Sequence, residues 1–113
     1  MLTEELRQIG FKLTTGEVER KLYPHALSHH LGSDLHDCPS WTRNSTLIEG
    51  NVITIEPGVY VPLDDSFPKH FHGIGIRIED AVAFTKDGPL VMSANAPKEV
   101  VDVEGACQGA LEE

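Results

Sequence analysis

Positive charge is the first thing this sequence is short of. Nine Lys and Arg stand against eighteen Asp and Glu in 113 residues, a formal net charge of −9. Nucleic acid and anionic membranes both draw basic patches, so neither is expected as a partner. An acidic balance suits a site for divalent cations or a basic peptide; it equally suits a surface whose only task is solubility. Cysteine is scarce too. Cys38 and Cys107 lie far apart and make no disulfide framework, so two reduced thiols of an intracellular protein are expected. No run approaches the ~18 apolar residues of a membrane span. The opening MLTEELRQIG is neither an apolar signal core nor an Arg-rich, acid-poor transit peptide, and it reads like the middle of a helix. No targeting signal is visible. Asn44-Ser45-Thr46 fits the glycosylation pattern, but without a secretion signal it reads as an unmodified loop asparagine. Internal repeats and low-complexity segments are absent.

What is present fits one domain or part of one. Leu2, Leu6 and Ile9 recur at helical spacing until Gly10. A second short helix opens at Thr15-Gly16-Glu17-Val18, with Val18 and Leu22 on one face, and Pro24 ends it. His25 to His30 reads as loop or a single turn, Ser33 to Cys38 as an extended segment, and residues 39–50 as a loop. Asn51 to Glu56 is a strand by composition, and Val59 to Val61 continues extended. Pro62 to Phe71 is expected to be a polar, mobile connection. Gly73 to Ala83 reads as one long strand. On it Gly75, Arg77 and Glu79 share one face, and Ile74, Ile76 and Ile78 the other. Val82 to Phe84 and Leu90 to Met92 pair through a Lys86-Asp87-Gly88 turn. Val100, Val101 and Val103 are candidates for packing, and the chain is expected to fray from about Gly105. Two helices followed by strands with antiparallel connections predict an α+β fold.

Chemistry concentrates in Tyr23 to Asp37, which holds His25, His29, His30 and His36, four of the six histidines. Imidazole titrates near neutrality and is the commonest metal ligand. Two later carboxylates are candidate partners. Glu79 on an otherwise Ile-rich strand must be paired with Arg77, protonated or bound to a metal. Glu56 is either an exposed strand-end carboxylate or a ligand, and His29 either a satisfied loop histidine or a ligand. One imidazole with two carboxylates suits Mn, Co, Zn or Fe rather than a soft metal. His36 is placed to donate a proton or to stabilise developing charge beside such a site. A structural zinc site from His25, His29, His36 and Cys38 has suitable ligands, but its spacing matches no zinc module.

SHHLGSDLHD, EGNVITIEPGVY and HGIGIRIEDAV, in that order, resemble the C-terminal half of Xaa-Pro aminopeptidases. These are the aminopeptidase P group of the pita-bread metallopeptidases. The resemblance covers about residues 3–103. It implies the C-terminal half of a pita-bread fold: a curved, mostly antiparallel sheet with helices on one face, forming a single partial catalytic domain over residues 1–113. It also implies release of an N-terminal residue preceding proline by metal-activated water, with a pair of divalent ions, typically Mn2+. By position, His29, Glu56 and Glu79 match metal ligands, with Glu56 also helping to activate the water. His36 matches the histidine that assists proton transfer or stabilises the tetrahedral intermediate. His25 matches a substrate-pocket histidine, and Arg77 an arginine that orients the site.

Two departures bear on activity. His72 stands where family members usually carry arginine. No aspartate precedes Asp34, so the family's two aspartate ligands have no counterpart. Glu56 and Glu79 alone offer two negative charges against four from two divalent ions, so at most one weak ion is expected and the chain alone is expected to be inactive. The partners implied are proline-containing peptides, with self-association or pairing to a complementing N-terminal half. A non-catalytic pita-bread module that binds peptides or proteins is the alternative. The closest family groups are cytoplasmic and mitochondrial.

Overall fold

The computed structural model describes residues 1–42 and 44–109. In chain order the elements are α1 (Leu2–Gln8), α2 (Thr15–Lys21), β1 (Val52–Ile55), β2 (Gly58–Tyr60), a 3-10 turn (Lys69–Phe71), β3 (Gly75–Arg77), β4 (Asp80–Thr85), β5 (Gly88–Val91) and α3 (Val100–Cys107). They divide into two compact units, Met1–His29 with Ile55–Glu79, and His30–Thr54 with the chain from Asp80 onward. The α+β composition and the antiparallel pairing are as expected, but the strands form two sheets rather than one.

In the first unit, α1 and α2 are too short to persist alone and are held by the faces they bury. Leu6, Phe11, Leu13, Val18, Leu22, Val61 and Phe67 form its core, and Leu22 is fully buried. The α1 face is narrower than its periodicity predicts: Leu2 and Ile9 are 38% and 50% exposed. Thr14 starts α2. Its backbone N–H donates to the Glu17 carboxylate at 3.0 Å, satisfying a donor that the first helical turn leaves open. The Pro62–Phe71 connection is not the loose segment its polar residues suggest. Phe67 is buried, and Phe67 and Phe71 lie 6.0 and 5.5 Å from the Phe11 ring, so two aromatic anchors tie it to the core. β2 and β3 pair antiparallel, Gly58 opposite Arg77 and Tyr60 opposite Gly75. On the other side of β2 the Tyr60 N–H donates to Leu22 O, and the Glu56 N–H donates to Leu27 O, each at 2.8 Å. Residues 22–27 are thereby laid along the strand that carries Glu56.

The second unit is built on the sheet β1–β4–β5. β4 and β5 make the expected hairpin around Lys86-Asp87, closed by Thr85 opposite Gly88. The long strand expected from Gly73 to Ala83 is broken at Ile78-Glu79, because its two halves join different sheets. Ser33 to Cys38 is folded back rather than extended. The Asp37 N–H donates to His30 O at 3.1 Å, and the Asp37 carboxylate accepts the Cys38 N–H at 2.7 Å. That bond, with those from Asp34 and Ser33, holds the Asp37 carboxyl below its usual range. Asp80 is fixed by Ser93 Oγ at 2.6 Å and Lys98 Nζ at 3.0 Å. The helix α3 runs through Gly105 to Cys107, past the point where fraying was expected; residues 110–113 lie outside the described residues. Val100, Val101 and Val103 do not pack as expected: they are 73%, 73% and 41% exposed. No helix among the described residues is long and apolar enough to cross a membrane.

Candidate metal centre

The β2–β3 register builds the site. Continued two residues beyond the Gly58–Arg77 pair, it sets Glu56 opposite Glu79, and the Ile78 N–H donates to Pro57 O at 3.2 Å along that extension. Like charges facing each other across a strand pair are destabilising unless something neutralises them. The neutralising groups are at hand. His29 Nε2 lies 3.3 Å from Glu56 Oε1, and Arg77 Nη2 donates to Glu79 Oε2 at 3.3 Å. One donor atom each from His29, Glu56 and Glu79 lie within 4.8 Å of one another.

Burial grades across the group. The Glu56 and His29 side chains are 13% and 23% exposed, whereas Glu79 and Arg77 are 37% and 50% exposed. Glu56 is therefore not the exposed strand-end carboxylate that its position allowed. The Arg77–Glu79 pair lies near solvent, where such contacts contribute about 0–1 kcal/mol. A carboxylate has two oxygens, so pairing with Arg77 and ligation by Glu79 are compatible. An imidazole nitrogen and two carboxylates, converging and half-buried, fit one divalent cation of the hard-to-borderline class.

His25 stands beside this cluster in the first unit, in a fixed tautomer. The Ala26 carbonyl can only accept, so Nδ1–H donates to it at 2.9 Å. In the neutral ring Nε2 then accepts the Tyr60 O–H at 3.0 Å. The Tyr23 and Tyr60 rings meet the His25 ring edge-on, with centroids 4.8 and 5.5 Å away. Both glycines facing Tyr60 are needed for space. A Cβ on Gly58 would fall 2.8 Å from Tyr60 Oη and 3.0 Å from His25 Nε2, and one on Gly75 would fall 2.9 Å from Tyr60 Cδ1. Burial pushes the Tyr23 phenol up from its ordinary pKa, with the charges of Glu56 and Tyr60 adding to the effect.

His36 lies in the second unit, exposed on the bend between Ser33 and Cys38. Among the described residues His29, Glu56 and Glu79 are the group of three or more ligand-type side chains that comes together. The zinc set His25, His29, His36 and Cys38 is not assembled there, and both cysteines are exposed thiols outside any disulfide. Reading from the sequence missed Tyr60 and Tyr23. Alternation from Glu56 through Gly58 puts Tyr60 on the ligand face, so the strand pattern carried that signal. Nothing in the pattern marks Tyr23 beyond its place two residues before His25.

Facing carboxylates joined by an imidazole, with an arginine behind one of them, are a ligand set that could hold a divalent metal ion. Residues 2–86 match metallopeptidase family M24. Xaa-Pro aminopeptidase 3 of Mus musculus is 44% identical over 112 residues, covering 95% of this chain and 22% of its own length. Intermediate cleaving peptidase 55 of Saccharomyces cerevisiae is 42% identical, over 98% of this chain and 22% of its own. The crystal structure of Icp55 from that yeast superposes on 97% of this chain with a TM-score of 0.85 at 43% identity, using 26% of that chain. Aminopeptidase PepP of Pseudomonas aeruginosa superposes on 99% with a TM-score of 0.83 at 29% identity, using 28% of that chain. This chain belongs to metallopeptidase family M24, and its fold is the pita-bread fold of the aminopeptidase P structures. It spans less than a third of the length of each of these relatives.

Proposed function

We propose that this chain carries the metal-holding part of an Xaa-Pro aminopeptidase site, which hydrolyses the bond between an N-terminal residue and the proline after it. The observation that carries the reading is the approach of His29, Glu56 and Glu79 to within 4.8 Å. These three residues would hold one divalent ion, manganese in our reading. When bound, such an ion polarises the scissile carbonyl and makes water more acidic. Glu56, the most buried of the three, accepts the proton from attacking water. Arg77 keeps one Glu79 oxygen occupied and so orients the other. His25, locked by Ala26 and Tyr60 and flanked by two aromatic rings, offers the proline ring an apolar edge. By sequence match alone, His36 is the residue for proton transfer to the departing amine or for steadying the tetrahedral oxyanion.

A second ion has no such ligands: no aspartate precedes Asp34, and two carboxylates balance one divalent charge. The isolated chain is therefore inactive in this reading and needs a complementing segment that brings acidic ligands. The compartment we propose is cytoplasmic or mitochondrial; one relative, from Arabidopsis thaliana, is named mitochondrial. Nucleic acid and membrane surfaces are not partners in this reading. The test is hydrolysis of Xaa-Pro peptides by the chain with Mn(II), alone and after addition of the upstream half of a related aminopeptidase. Activity that appears only in the mixture and vanishes with Glu79→Ala supports the proposal. Activity that survives Glu79→Ala, or that ignores proline, contradicts it. The other reading is a non-catalytic peptide-binding module. Proline-peptide binding that persists in a chelator would single it out.

A further inference from the structure

The polar groups around the metal centre are nearly all committed, and Tyr23 is the exception. Its hydroxyl oxygen is buried and has no hydrogen-bond partner among the described residues. A buried phenol without a partner is a costly arrangement that folded proteins seldom keep without use. Its place in the chain is set from both sides. The Tyr23 N–H donates to Val18 O at 3.0 Å, closing the end of α2, and Pro24 follows. Its ring stands edge-on to His25 with centroids 4.8 Å apart, and the charges that bear on the phenol are those of Glu56 and Tyr60. Tyr60 already shares its hydroxyl with His25. The Glu56 and Tyr60 N–H groups, which donate to Leu27 O and Leu22 O, lay the Tyr23 segment along the strand that carries the Glu56 carboxylate.

A ligating carboxylate commits one oxygen to the cation and presents the other to a donor, and such donors fix the ligand's orientation. We propose that Tyr23 is a positioning residue of the metal centre: its O–H donates to the Glu56 oxygen that does not face the cation when His29, Glu56 and Glu79 take up a divalent ion. This rests on the metal-site reading above. It gives the orphaned hydroxyl a partner in the loaded state, and it gives Glu56 a donor that a phenylalanine at the same position would lack.

The proposal makes opposite demands on the empty and loaded chain. Tyr23→Phe removes only the hydroxyl. Without metal it should unfold at the same temperature as the parent or higher, because an unpartnered buried polar group is gone. With metal, the same variant should bind Mn(II) more weakly by about tenfold or more, the range in which donors to metal ligands act. Calorimetric titration of Mn(II) into the 113-residue chain, its Tyr23→Phe variant and a Glu79→Ala control reads both quantities when paired with thermal unfolding in chelator. The ultraviolet band of tyrosine gives a second reading: loading should shift it in the parent, and Tyr23→Phe should abolish the shift. Equal Mn(II) affinity in the parent and Tyr23→Phe, with Glu79→Ala still weakened, overturns the proposal and leaves the metal site standing. Lower stability of Tyr23→Phe in chelator also overturns it, by making Tyr23 an ordinary structural residue. A parent chain that takes up no ion overturns the metal site and the proposal together.

Discussion

Gly58→Ala tests whether the ring packing beside the metal centre is as tight as the distances say. Gly58 is not among the glycines held at positive φ, so alanine suits its backbone, and the objection to a side chain is purely one of space. The new Cβ would lie 2.8 Å from Tyr60 Oη, 3.0 Å from Tyr60 Cε2 and 3.0 Å from His25 Nε2. Ordinary contact needs about 3.5 Å or more, so the Tyr60 ring must withdraw by roughly half an ångström. The 3.0 Å bond between Tyr60 and His25 is what gives way. Losing a neutral hydrogen bond costs about 0.5–1.5 kcal/mol, and overpacking a tight site about 1–3 kcal/mol, so a loss near 2 kcal/mol is expected. Urea unfolding of Gly58→Ala measures it. Tyr60→Phe removes the atom in closest conflict, so in that background Gly58→Ala should cost about 1 kcal/mol less, a coupling within the range for residues in contact. Nitrogen NMR of the imidazoles supplies the local reading, since the His25 Nε2 resonance should move when Tyr60 leaves it. A Gly58→Ala chain as stable as the parent, or one whose loss is the same with and without the Tyr60 hydroxyl, would refute the packing argument.

Other consequences follow from the same contacts. Leu22 is fully buried at the centre of a core of seven side chains, so Leu22→Ala should lose about 2–5 kcal/mol, enough to leave the chain largely unfolded by circular dichroism at 25 °C. Asp80 is held below the usual carboxylate range, first by Ser93 and then by Lys98. A depressed carboxyl contributes stability above its unfolded pKa and loses it as pH falls through the folded pKa, so Lys98→Met should flatten the acid limb of the stability–pH curve and leave its neutral-to-basic limb unchanged in slope. Ile74, Ile76 and Ile78 expose 51%, 58% and 43% of their surface on one face of the β3 segment, which is the kind of apolar stripe that drives association. Light scattering should show assembly that grows with concentration and falls in Ile76→Lys; a strict monomer at high concentration would count against it.

Local periodicity made the helix positions, the β4–β5 hairpin and the alternation through Gly75, Arg77 and Glu79 legible in the sequence. The motif blocks also gave the three ligand-type residues that the fold brings together. Legibility failed wherever one sheet gives way to another. In Ile74-Gly-Ile-Arg-Ile-Glu-Asp-Ala-Val the one irregularity is the polar pair Glu79-Asp80, and no turn former marks the point at which the hydrogen-bond partners change. Pro62 to Phe71 departs from expectation for a related reason: Asp64 and Asp65 dominate its composition, but Phe67 and Phe71 decide its behaviour by meeting Phe11 from far away in the chain. Val100, Val101 and Val103 show the limit in the other direction. Their apolar character is plain, yet they stay exposed within this chain. At the site, the facing of Glu56 and Glu79 depends on the β2–β3 register, and Tyr23 enters only once residues 22–27 are laid along the strand that carries Glu56 and Tyr60.

The central question is whether His29, Glu56 and Glu79 act as one metal centre. Titrating Mn(II) into the purified chain, with stoichiometry read by calorimetry and by electron paramagnetic resonance, asks that directly. One weakly held ion, lost in both His29→Ala and Glu79→Ala, is the predicted result. Two tightly held ions would contradict the argument from missing acidic ligands, and no ion at all would reduce the three side chains to a hydrogen-bonded cluster without metal chemistry.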